Sequence, residues 1–206
     1  ARTVVFTEFA WRVDSAFGLA GLEVILKAGR ALNRFVEGIH PRRGNTWVLA
    51  HSANTRFHCG GLPQRLVTRV KGGSATSVVL PYRDIWLAPD FHQSPFAVQH
   101  VLHELAHVLD NRSRGGCLPA IWVGGGWGDS LVTALGGHPK GLRWNNGTCG
   151  LSPPALWSMA VNLGYGNHSS ADYFGEAFSW TVVKPGYCPS PQVSRLIRDL
   201  VQMSPP

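Results

Sequence analysis

The stretch Ser94-Pro95-Phe96-Ala97-Val98-Gln99-His100-Val101-Leu102-His103-Glu104-Leu105-Ala106-His107-Val108-Leu109-Asp110-Asn111 decides how this chain is read. From Phe96 to Asn111 it holds neither glycine nor proline, so nothing within it breaks a helix. Ser94 can cap the start, and Pro95 suits the first helical position, where a missing amide proton costs nothing. The polar, glycine-containing run Arg112 to Gly116 ends it. A helix over 95–111 is predicted. On such a helix His103 and His107, four residues apart, project from one side with Glu104 next to them.

Two imidazoles spaced this way can share one divalent ion. Zinc accepts nitrogen ligands and, in catalytic sites, keeps one of its positions for water. The ion brings the pKa of that water close to neutrality, where an adjacent carboxylate can remove its proton. His103 and His107 are therefore predicted to bind a single zinc ion, with Glu104 as general base. Chance produces this pattern in roughly one chain per hundred of such composition, and less often in mid-helix. The plain alternative is a helix with two surface histidines and an ordinary glutamate.

A third protein ligand is needed, and a second predicted helix offers one. Ser170 can cap a helix from Ala171 to about Val182, on which Asp172 and Glu176 share a face. One carboxylate can bind the ion while the other accepts a hydrogen bond from an imidazole ligand. Acid is scarce in this part of the chain, and Glu104 and Glu176 are the only glutamates beyond residue 37. The neighbours Tyr173, Phe174, Ala177 and Phe178 are aromatic or apolar, which points to partial burial rather than a solvated acidic pair.

The run Tyr165-Gly166-Asn167-His168-Ser169-Ser170-Ala171-Asp172-Tyr173-Phe174-Gly175-Glu176-Ala177-Phe178 resembles the second motif of gluzincin metallopeptidases related to anthrax lethal factor and the Pro-Pro endopeptidases. That motif has a tyrosine, an acidic zinc ligand seven residues later, two aromatics, a small residue and Glu-Ala-Phe. The first motif is similar too, since His-Glu-x-x-His is followed by two apolar residues and an aspartate, here Val108-Leu109-Asp110. The resemblance implies that His103, His107 and Asp172 hold zinc, that Glu104 is the base, and that Glu176 supports an imidazole ligand from behind. Tyr165 would donate a hydrogen bond to the oxyanion of a tetrahedral intermediate. Asp110 would steady a ligand from outside the coordination shell or serve the fold. One departure stands out: the family's third ligand is normally Glu, and Asp172 is one methylene shorter. Either its helix comes closer to the ion, or Glu176 takes over as ligand; Asp172 is the expectation. The resemblance covers only these two motifs.

Elsewhere the pattern predicts an extended segment around Thr3 to Phe9, a helix from about Ser15 to Val36 ended by Gly38, and a strand at Thr46 to Ala50. Leu66–Val70 and Ser77–Leu80 flank Gly72-Gly73 as a hairpin, and Arg83–Ala88 reads as a strand. Pro153–Leu163 suggests a short helix and Val193–Met203 an amphipathic one. Strands first and helices later give an α+β class. The implied architecture is a single zincin-like domain over 1–206, with a mixed β-sheet lobe carrying the active-site helix (1–111) and a mainly helical lobe (112–206). In zincins the strand before that helix often takes an extended peptide as an added strand, so Trp86 and Leu87 are expected to bind substrate; an internal strand is the alternative. His100 reads as a satisfied or exposed histidine, and Gly124 to Trp127 as a lid, a subsite wall or plain packing.

Composition narrows the remaining classes. No apolar stretch approaches a membrane span. The formal net charge is +7, but the arginines are scattered, the densest cluster being Arg42-Arg43, so a solvated basic surface is expected rather than a nucleic-acid groove. Cys59, Cys117, Cys149 and Cys188 lack Cys-x-x-Cys spacing and read as two disulfides of a secreted protein whose leader has been removed or is not included. Three Asn-x-Ser/Thr triplets carry little weight. The expectation is a monomeric, secreted zinc endopeptidase acting on a peptide or protein. The alternatives are a zinc amidase on a non-peptide or cell-wall amide, and a silent zincin binding acidic partners; Glu104 and Tyr165 speak against the last.

Overall fold

A computed structural model describes residues 2–42, 44–60, 77–80, 83–113, 126–135, 137–138, 143–144, 170–183 and 191–204. The predicted segments Leu66–Val70 and Pro153–Leu163 lie outside the described residues. Where one extended segment was expected at the start, the chain makes an antiparallel hairpin, β1 (Thr3–Phe6) and β2 (Trp11–Asp14), with Phe6 opposite Trp11. The turn between them places Ala10 in the left-handed region, at φ 53°. Trp11 and Val13 enter the core while Arg12 faces out, the alternation that a pleated strand imposes.

Two helices then cross over to a parallel partner. The chain turns through a short 3-10 segment at Ser15–Phe17, where the Asp14 carboxylate accepts a hydrogen bond from the Ala16 amide at 2.9 Å, and enters α1 (Gly18–Glu37). Its buried side is formed by Ile25, Ala28, Gly29, Leu32, Phe35 and Val36, while Leu19 in the first turn is exposed. Next comes α2 (Gly44–Ser52), where a strand was expected at Thr46 to Ala50. The β-branched and aromatic residues there favour strands only when packing supports it. In the fold Trp47, Val48 and Ser52 bury one helical side, and the Trp47 indole donates to the Ser204 carbonyl at 2.9 Å. Gly44 makes the close α1–α2 approach possible, since a Cβ there would lie 2.2 Å from Cγ of Glu37.

Three further strands complete the sheet: β3 (Arg56–Cys59), β4 (Ser77–Leu80) and β5 (Asp84–Leu87). Their order is β1-β2-β3-β5-β4, with β3 parallel to both β2 and β5, and β4 antiparallel to β5. This corrects the substrate role expected for Trp86 and Leu87. Both sides of β5 are occupied, so its backbone has no free edge to accept another strand. Leu87 is fully buried, while Trp86 lies half-buried on the opposite face, stacked on His58. Sequence places a strand before the helix but not its rank within the sheet.

The helices that follow are α3 (Ala97–Ser113), α4 (Trp127–Ala134), α5 (Ser170–Val183) and α6 (Pro191–Met203), with a two-residue ladder of β6 (Gly137–His138) and β7 (Arg143–Trp144) between α4 and α5. Ser94 accepts from the Phe96 amide through its hydroxyl at 3.1 Å, just ahead of α3. The class is mixed α+β. One apolar core extends from Phe9 to Val201, so both halves of the chain contribute to it. Trp127, expected in a lid, subsite wall or packed loop, is instead the first residue of α4; it stacks on Trp47 and meets Phe174 edge-on. Among the described residues no helix is long and apolar enough to cross a membrane. Among the described residues Cys59 forms no disulfide, and its thiol pKa is pushed up by burial and by the Asp14 charge; the other three cysteines lie outside the described residues, and with them the expected disulfides.

One core contact tests this packing directly. A Cβ on Gly29 would lie 2.4 to 2.8 Å from three atoms of the fully buried Phe9 ring. Overpacking costs about 1–3 kcal/mol, against about 1 kcal/mol of helix propensity gained from Gly to Ala. Gly29→Ala should lower stability by about 1 kcal/mol in urea unfolding; an unchanged or raised midpoint would show that Phe9 has room to move.

Candidate metal centre

Helices α3 and α5 are the most extensively packed pair among the described elements, and the ionisable side chains singled out in the sequence meet between them. His103 and His107, one turn apart on α3, bring their Nε2 atoms to 3.0 Å. From α5, Asp172 places Oδ1 3.5 Å from Nε2 of His107. One ligand atom from each of the three lies within 4.8 Å of the others. Zinc bonds of about 2.0–2.1 Å at tetrahedral angles put neighbouring donors about 3.3 Å apart, so the spacing fits one small divalent ion. The donor chemistry fits as well: two imidazole nitrogens facing each other at this distance need a proton or a cation between them.

Glu176, one turn beyond Asp172, sits on the other side of the same ring. Its Oε1 is 3.0 Å from Nδ1 of His103, where both its hydrogen bond and its charge favour the protonated imidazole. Helix α5 therefore serves both ends of one imidazole, with Asp172 near the Nε2 side and Glu176 behind it. Gly175 makes this possible. A Cβ there would lie 2.8 Å from Cε1, 2.9 Å from Nδ1 and 3.0 Å from Nε2 of His103, so the bare backbone is the surface on which the ring lies.

The charges are unusual for an interior. His103, Glu104 and Glu176 are 7, 4 and 4% exposed. Burying such groups is costly unless each is matched by others, and well-packed apolar residues would serve stability as well or better. A buried histidine among buried carboxylates is what functional sites collect. Burial by itself would push the His103 imidazole down; the Glu176 carboxylate at Nδ1, with Glu104 and Asp172 nearby, outweighs it and lifts the pKa to about 9. His100, one turn earlier on α3 and half-buried, is pushed down by burial and by His103, with Glu176 and Glu104 pulling weakly the other way. It belongs to the electrostatic surroundings of the centre.

Asp110 has a structural role. It is fully buried, and its Oδ1 accepts a hydrogen bond from the Gly128 amide at 2.9 Å, satisfying a donor in the first turn of α4. Tyr165 lies outside the described residues. Sequence reasoning read Ser170 as a cap ahead of Ala171, whereas it is the first residue of α5; it missed Gly128, Asp129 and their contacts with Ser170, because these span some forty residues of chain. Comparison of the chain with protein-family models, with curated proteins and with solved structures finds no match.

Two outcomes follow from the geometry. In the metal-free protein the folded pKa of His103 stands above its ordinary 6.5, so its stabilisation is complete below that value and disappears as pH rises through about 9. A metal must displace that proton. Calorimetric titration with zinc in buffers of different ionisation enthalpy should count about one proton released near pH 7.5, with affinity climbing until about pH 9. Proton-neutral uptake would contradict the assignment. Gly175→Ala should push the His103 ring aside and weaken zinc binding by about 10–100-fold, read by competition with a chromogenic chelator.

Proposed function

We propose that this chain is a metal-dependent hydrolase. Within that class, the donor set and the buried carboxylate beside it favour a zinc endopeptidase. The observation that carries the reading is the convergence of His103, His107 and Asp172, with Glu176 behind the first imidazole. Two nitrogens and one carboxylate oxygen leave a position open on a four-coordinate ion, as catalytic rather than purely structural zinc sites do. When bound, zinc supplies Lewis acidity, polarising a carbonyl and making water acidic near neutral pH.

The chain's own groups supply the rest. Glu104, buried and adjacent to His103, removes a proton from the attacking water and returns it to the leaving amine. Glu176 orients His103 and keeps its Nε2 toward the ligand group. Tyr165, by the gluzincin resemblance, donates to the oxyanion as the carbonyl becomes tetrahedral. The substrate's extended backbone adds to β4, the outermost strand of the sheet among the described residues, which packs against α3 beside β5. A zincin-like fold accommodates these parts, since a sheet edge and the His-Glu-x-x-His helix are then neighbours.

Glu104→Gln tests the chemistry, because it keeps the side chain's size and removes its basicity. Zinc content should stay at one ion per chain while peptide hydrolysis falls by about 10²–10⁴-fold. Undiminished turnover by that variant would refute the role of Glu104. Cleavage of a casein-type substrate by the zinc form, absent from the chelated form, separates an endopeptidase from an amidase that ignores peptides.

A further inference from the structure

Asp172 is a short ligand. With one methylene fewer than glutamate, its carboxylate cannot make up for a helix that drifts outward, and working constellations tolerate only about 0.5 Å of misplacement. Something must hold the first turn of α5 against α3. Gly175 accommodates His103 but lies one turn further along and does not anchor the end of the helix that carries Asp172.

We propose that a clasp at the start of α4, made by Asp110, Gly128, Asp129 and Ser170, positions Asp172 for the metal, an inference that rests on the metal-centre reading above. Three contacts compose it. Asp110, on α3 three residues past His107, accepts from the Gly128 amide at 2.9 Å. Gly128 in turn lies so close to α5 that a Cβ would stand 2.5 Å from the Ser170 carbonyl oxygen and 3.1 Å from the Ala171 Cα. Finally the Ser170 hydroxyl donates to the Asp129 carboxylate, crossing back from α5 to α4. The two helices that bear the ligands are thus joined through a third, within one turn of His107 on one side and of Asp172 on the other. Asp129 also lies in the first turn of α4, where the helix favours a negative charge, so its carboxylate is held in place as an acceptor.

The clasp is built from backbone as much as from side chains. Its close approach at Gly128 leaves no space for slack, and the buried Asp110 fixes the orientation of α4 relative to α3. Ser170, Asp129, Asp110 and Gly128 need not touch the ion; they are positioning residues acting through Asp172.

The test uses the full chain and measures zinc affinity by chelator competition, with the visible absorption of the cobalt(II) form as a second readout. Ser170→Ala should weaken zinc binding by roughly tenfold and alter the cobalt spectrum, and Ser170→Thr, which keeps the hydroxyl, should restore most of both. On an Asp172→Ala background, Ser170→Ala should cause no further loss, because the group it positions is already gone. Asp129→Ala removes the same bond from the half-buried side and should reproduce the effect if the serine variant folds poorly. Wild-type affinity in both Ser170→Ala and Asp129→Ala, or an equal further loss on the Asp172→Ala background, overturns the inference and leaves the proposed activity standing. A chain that binds zinc and obeys the cycle but cleaves no peptide retains the clasp and rejects the endopeptidase.

Discussion

The close contact of α3 with α5 at Gly175 is the constraint from which the rest of the centre follows. With no side chain at that point, the His103 imidazole can lie flat on the backbone of α5. That single closeness lets one short helix reach around one ring: Asp172 stands near the Nε2 atoms of the two histidines, and Glu176 stands behind at Nδ1. A side chain at 175 would meet the His103 ring at 2.8 to 3.0 Å and force it to shift.

Holding these groups inside carries a cost that the fold does not recover through stability. Four ionisable side chains, His103, Glu104, Asp172 and Glu176, occupy buried or half-buried positions along one interface. Their mutual attraction is strong enough to keep His103 protonated above neutral pH when burial alone would strip it. His103, His107 and Asp172 form a group that could hold a metal ion at this interface. The core beside it is apolar by contrast, with Trp127, Trp47, Phe174 and Phe178 packed ring against ring.

Helical periodicity and end signals carried much of the architecture. The glycine-free run before Asn111 gave α3 and put His103 and His107 on one side; Asp172 and Glu176 followed from the same rule on α5. Misreadings arose where distant contacts decide. Trp47 and Val48 have strand-forming side chains, yet burial against α1 and the chain's last turn makes them helical. Arg56 to Cys59 gave no strand signal because its half-polar composition suits a parallel strand only once β2 and β5 flank it. Leu87 seemed available to a ligand because nothing local reveals that β4 folds back along the outer side of β5.

Residue spacing by itself determined which groups can act together on one helix, since the rise and turn of an α-helix are fixed by its backbone hydrogen bonds. It therefore specified the two imidazoles as one pair and the two carboxylates as another. Which carboxylate faces which nitrogen was decided only by tertiary packing, through the approach distance of two helices separated by more than fifty residues of chain. Local geometry is encoded within a few residues, whereas the distance between helices depends on small residues, bulky neighbours and hydrogen bonds scattered along the whole sequence, and no periodicity records it.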